Sequence, residues 1–296
     1  MPFSSLPLPL FALAIFLGGG TAGAFPFSTV EALASGAMQG ITEFLPISSS
    51  AHLLLLERVL TGENLSRSGR GVVLTNYHLL LQLASIFPVF WIYRRRIGQI
   101  LSAVILRSSR AHLRPLGLLL VAFFPSAAMG LFVDRHFCAA AVATPLMGSF
   151  LFAGGVGILL FERLRGNRGR GNIENLSWRS AWTIGLLQTF ALFPGVSRSL
   201  LSIVGGLWMG LSPASAVEFS FLLGSGTICA AVAHRLLTRQ MASILPLPVF
   251  PLTVGIFTAF FCSALSISFL LHWLQRHSLR IFGVYRIGLG IFLLFL

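Results

Sequence analysis

The chain has 296 residues, 55% of them hydrophobic and only 10% charged, against about 25% charged residues in a soluble globular domain. A mean hydropathy of +0.86 excludes a soluble fold. The net charge of +13 does not signal nucleic-acid binding, because the arginines fall in short loops between apolar runs rather than on one face of a soluble domain.

Residues 1–27 form an apolar extension. The run Leu6 to Gly18 is followed by small residues, as in a secretion signal, but no Lys or Arg precedes Arg58. The basic start of a signal is therefore missing, and an uncleaved first membrane helix fits equally well. Residues 28–296 read as a single integral membrane domain.

The next stretch, 31–56, is long enough to cross a bilayer, which takes ~20 residues, yet it is interrupted. Glu43 places a carboxylate in an apolar run, Pro46 removes a backbone donor, and Ser48, Ser49 and Ser50 can cap a new helix. A broken helix at membrane depth is tolerated only where the freed backbone is buried in protein or lines a wet cavity. Six apolar runs then predict full crossings, at about 72–92, 116–133, 141–161, 216–233, 247–271 and 281–296. A second interrupted run, 181–210, breaks at Phe193-Pro194-Gly195-Val196-Ser197-Arg198-Ser199. The polar connections 93–114 and 162–180 are read as loops, and their arginines place both on the cytoplasmic side. Cys138, Cys229 and Cys262 are widely spaced and read as small buried hydrophobes.

The two halves, about 28–161 and 175–296, echo each other. Leu45-Pro46-x-x-Ser49 matches Phe193-Pro194-x-x-Ser197, and the two prolines stand 148 residues apart. Three crossings lie between the breaks, and an odd number inverts the second copy. The expected fold is an all-α polytopic membrane protein, with six transmembrane helices and two re-entrant helix pairs in an inverted-topology repeat.

Ionisable groups inside apolar runs mark the candidate site, because a charge at the centre of a membrane helix costs roughly 2.5 to 3.5 kcal/mol on insertion scales. Glu43 follows Gln39 by four residues, on one helical face; it suits a general base or, with Gln39, an oxygen ligand for a hard cation. Its alternative is a structural carboxylate paired with an arginine. Arg198, flanked by Ser197 and Ser199 and near Gly195, suits a phosphate oxyanion, or else a carboxylate partner when no phosphate is bound. Ser49 is a nucleophile or an N-cap, and His52 lies close enough to serve it as acid or base. His78, Gln82 and Glu218 are weaker inward-facing candidates, and Arg286 reads as structural.

These motifs resemble the undecaprenyl-diphosphatase family of bacterial inner membranes, also known for bacitracin resistance. Its [Glu/Gln]-x-x-x-Glu motif is matched by Gln39 to Glu43, its Phe-Leu-Pro-x-Ser-Ser-[Thr/Ser]-x-His run by Phe44 to His52, and its Pro-Gly-x-Ser-Arg-Ser motif by Pro194 to Ser199. The resemblance implies a membrane phosphatase that converts C55 isoprenyl diphosphate to the monophosphate carrier of peptidoglycan synthesis. It further implies a divalent cation (Mg2+ or Ca2+), a site reached from the periplasm, and contact with membrane lipids; a homodimer is compatible with it. Glu43, His52, Ser49 and Arg198 would be catalytic. Gln39, Ser48, Ser50, Gly195, Ser197 and Ser199 would hold substrate, with Glu43 and Gln39 at the metal. The chain departs from the family at Leu200, where glycine is usual, at His78, where an acid is more frequent, and at Gly224 to Thr227. A phosphate-carrying transporter or flippase uses the same inverted repeat and is the competing function.

Overall fold

Ser28 shows why helix begins where it does. Its hydroxyl accepts from the Glu31 amide at 3.1 Å, and the Glu31 carboxylate accepts from the Ser28 amide at 2.5 Å, a reciprocal cap. In the computed structural model, residues 28–61, 71–106, 110–136, 144–165, 169–238 and 248–296 are described. They form eleven α-helices and, among the described residues, no strand. The apolar extension 1–27 and Cys138 lie outside the described residues.

The first break separates α1 (Thr29–Phe44) from α2 (Ser49–Thr61). Then come α3 (Gly71–Ile92), α4 (Arg94–Leu106), α5 (Arg110–His136) and α6 (Thr144–Leu164). The second break separates α7 (Trp178–Thr189) from α8 (Arg198–Trp208), and α9 (Pro213–Leu237), α10 (Val249–Arg276) and α11 (Arg280–Leu294) follow. At 16, 13, 12 and 11 residues, the four helices beside the breaks are about 17 to 24 Å long. None of them spans the roughly 30 Å hydrocarbon core alone. The members of each pair touch one another. The protein is thus a multi-pass membrane protein built around two interrupted segments.

Five of the six expected crossings are long and apolar enough to span a membrane: α3, α5, α6, α9 and α10. The sixth is shorter than the sequence suggests. Its helix, α11, has 15 residues, or about 22 Å. The connection 93–114, read as a loop, instead contains α4, which buries Ile100 and Ala103 on one face. Cys229 is exposed and Cys262 half-buried, contrary to the reading of the cysteines as core residues.

Packing follows the repeat. The first helix of each interrupted pair lies on the second full crossing of the other half, α1 on α10 and α7 on α5. The corresponding third crossings, α6 and α11, pack against each other, as do the first crossings α3 and α9. Exchange of the two halves preserves this set of partners. Small residues permit the close approaches: a Cβ on Gly155 of α6 would stand 2.7 Å from the Gly283 carbonyl oxygen of α11, and one on Gly148 would stand 2.9 Å from that of Gly290. One apolar cluster joins Phe44, Leu45 and Ile47 at the first break to Leu200 and Ile203 of α8 and to Phe219 and Phe221 of α9. The Phe44 and Phe221 rings meet edge to face at 4.6 Å.

The α6–α11 contact holds the final helix in register with both breaks. Gly155→Val is therefore expected to destabilise the protein by about 1 to 3 kcal/mol through overpacking. A thermal unfolding scan in detergent checks this; an unchanged midpoint would remove the close α6–α11 approach.

Candidate active site

Each break delivers its functional groups at a helix end. At the first, Leu45 leaves the helical region with φ −71° and ψ 144°, as expected of a residue before proline. Ser48 then turns the chain with φ +76°, left-handed for a residue with a side chain; such a conformation costs on the order of 1 to 3 kcal/mol. At the second break Gly195 has φ +95°, and there glycine removes the Cβ conflict. Ser197 caps α8 by accepting from the Leu200 amide at 3.2 Å, so Arg198 is the first helical residue.

The two breaks meet through Glu43 and Arg198. Arg198 Nη2 donates to Glu43 Oε1 at 2.7 Å and to Gln82 Oε1 at 2.8 Å. Glu43 Oε2 accepts from Gln39 Nε2 at 2.6 Å and from Ser49 Oγ at 2.8 Å. The acid is the deeper partner: the Glu43 side chain is 5% exposed and that of Arg198 28%. A ligand from the open side meets the guanidinium first.

Serines stitch the breaks together. Ser199 Oγ donates to the Leu45 carbonyl at 3.0 Å and contacts Ser197 Oγ at 2.9 Å. Ser50 Oγ contacts Ser48 Oγ at 3.1 Å and accepts from the Gly195 amide at 3.4 Å. Arg286 of α11 braces both breaks from behind. Fully buried, it donates to the carbonyls of Pro46, Gly195 and Phe150 at 3.4, 3.0 and 3.3 Å, and it lies against Gly154.

His52 is placed differently from the sequence expectation. One ring nitrogen meets the Ser48 carbonyl at 2.7 Å and the other meets the Tyr285 hydroxyl at 2.7 Å. The group within hydrogen-bond reach of Ser49 Oγ is Glu43, not His52. His78 binds Glu57 at 3.1 Å, and Glu218 binds Arg96 at 2.7 Å together with Glu174; neither joins the Glu43–Arg198 group. Leu200 occupies a buried helical position in α8, where the left-handed freedom of glycine is not used. Gln82 is more central than its sequence context suggests, since it orients Arg198.

The donor set can be tested against a divalent cation. Gln39 is buried and its Oε1 has no hydrogen-bond partner, beside a carboxylate that already accepts from its Nε2. Glu43 and Gln39 Oε1 together offer hard oxygens. Among the described residues no group of three or more His, Cys, Asp or Glu side chains is present. This suits a cation completed by phosphate oxygens, in the manner of Mg2+ with one or two carboxylates, rather than one caged by protein alone.

Residues 32–292 match the family described as bacitracin resistance protein BacA. The chain belongs to the BacA family. Its relatives include the undecaprenyl-diphosphatase 1 of Chromobacterium violaceum, 36% identical over 265 residues, covering 89% of this chain and 94% of that protein. The undecaprenyl-diphosphatase of Sorangium cellulosum is 34% identical over 270 residues, covering 90% and 85% of the two chains. That of Campylobacter jejuni is 34% identical over 260 residues, covering 88% and 91%. In this BacA-family chain, both breaks and the bracing Arg286 fall inside the matched region.

Arg286→Leu would leave the two buried break carbonyls, Pro46 and Gly195, without their donor, at about 1 to 3 kcal/mol for each one left unsatisfied. The variant is expected to unfold several degrees lower and to lose the site; a wild-type midpoint in calorimetry would exclude the bracing role.

Proposed function

We propose that this BacA-family protein hydrolyses undecaprenyl diphosphate to undecaprenyl phosphate and inorganic phosphate at a lipid–water boundary. The observation that carries the reading is the Glu43–Arg198 pair, an acid and a guanidinium from opposite halves, with Ser49 bonded to the acid and Ser197 and Ser199 flanking the arginine in the chain. The names of the curated relatives point to the same reaction.

Substrate binding and base activation are coupled. A diphosphate attracts Arg198 by charge-assisted hydrogen bonds, and the guanidinium then releases Glu43 Oε1. Ser49 Oγ, already donating to Glu43, gives up its proton to that carboxylate and attacks the terminal phosphorus. The new Oγ–P bond forms as the bond to the bridging oxygen breaks, and polyprenyl monophosphate leaves. Water then cleaves the phosphoserine ester, which yields inorganic phosphate and restores the hydroxyl. Arg198 and the free amides at the start of α8 offset the charge that builds on the phosphoryl oxygens. Mg2+ or Ca2+ would neutralise diphosphate charge, with Glu43 and Gln39 as the residues that hold it.

The prenyl chain would lie among the lipid-facing helices. The arginine-rich connections 93–114 and 162–180 favour a cytoplasmic face for both, which fits a bacterial inner membrane with the site open to the periplasm.

Purified protein in detergent, where transport cannot be scored, tests the reaction. It should release phosphate from a prenyl diphosphate and lose that activity with chelator. Glu43→Ala and Arg198→Ala should each lower the rate by about a hundredfold or more. Wild-type rates in either variant would remove the assigned roles, and no release from the wild type would leave the transporter reading in possession.

A further inference from the structure

We propose that Tyr285 is the positioning residue of His52. The two side chains are 233 positions apart in sequence, yet their rings lie parallel, with centroids 5.6 Å apart and planes 7° from each other. The Tyr285 hydroxyl sits 2.7 Å from His52 Nε2. At the other side of the imidazole, Nδ1 is 2.7 Å from the Ser48 carbonyl oxygen.

This geometry fixes a tautomer. A carbonyl can only accept, so Nδ1 carries the hydrogen and donates it to Ser48. In neutral His52 the Nε2 atom is therefore a lone pair, and Tyr285 donates its hydroxyl hydrogen to it. When His52 is protonated, Nε2–H donates and the same hydroxyl accepts. Tyrosine keeps the bond in both states, which phenylalanine cannot do in either. The consequence reaches the catalytic serine through the chain. Ser48 is the left-handed residue of the first break, and Ser49 follows it. Holding the imidazole against the Ser48 carbonyl holds the turn that aims Ser49 at Glu43. Tyr285 is about half exposed while His52 is buried. Its neighbour Arg286 grips the same break at the Pro46 carbonyl. Adjacent residues of α11 thus secure the turn at two points.

The kinetic arm of the test rests on the phosphatase reading; the spectroscopic arm does not. Imidazole 15N spectra of the wild-type protein, with His52→Gln to assign the signal, should show His52 as the Nδ1–H tautomer. Tyr285→Phe should shift or split that signal. It should lower kcat by about tenfold, the size of one hydrogen bond expressed in the transition state, with KM within twofold. In a His52→Gln background the same change should have no further effect on kcat. An Nε2–H tautomer in the wild type overturns the proposal without any variant having to fold. So does Tyr285→Phe with an unchanged His52 signal, or an additive loss in the double variant. If the wild type releases no phosphate while the tautomer is as stated, the phosphatase reading fails and the positioning role stands.

Discussion

A single ion pair closes the molecule. Glu43 and Arg198 lie at two chain breaks that are separated by half the sequence, and their 2.7 Å contact is what makes a charge at each break tolerable in an apolar setting. An isolated carboxylate at 5% exposure would face a severe desolvation cost. Arg198 supplies the opposite charge, and Gln39 and Ser49 occupy the second carboxylate oxygen. Removing any one partner leaves a buried charge or dipole short of a bond, so the group acts as a unit.

The surrounding structure exists to hold that unit open at one side. The breaks free backbone carbonyls that cannot find helical donors, and Arg286 from the last helix takes up one at each break, Pro46 and Gly195, while also reaching the Phe150 carbonyl of α6. Its own placement depends on glycines along α6 that admit α11 closely. A chain of dependence therefore runs from small residues, to a helix crossing, to a buried guanidinium, to the turn conformations, and finally to the acid. The greater exposure of Arg198 gives the assembly a direction, because an anionic ligand reaches the guanidinium before it reaches the carboxylate.

Much of this was legible in the sequence because it is local or compositional. Apolar run lengths revealed five helices that reach membrane length, and the proline-centred interruptions located both breaks to within a few residues. The partnership of Glu43 with Arg198 followed from charge in an apolar setting, since each needs a partner. The shortness of α11 and the helicity of α4 were not apparent. In α11 the apolar run continues past the last helical residue, and in α4 three successive arginines mask an amphipathic pattern. His52 next to Ser49 in sequence suggested a dyad, yet four residues of helix turn its ring toward the Ser48 carbonyl and Tyr285. No spacing rule reaches from position 52 to 285, or from Arg286 to Pro46. Those contacts are fixed by packing of α11, which only the three-dimensional fold displays.

The central claim is that Glu43 and the diphosphate compete for Arg198. Binding of a non-hydrolysable, methylene-bridged prenyl diphosphate to Glu43→Gln in micelles, with chelator present, measures that competition directly. The account predicts binding about tenfold tighter than wild type, equivalent to ~1.4 kcal/mol, because the competing carboxylate is gone. Binding weakened to the level of Arg198→Ala would contradict it.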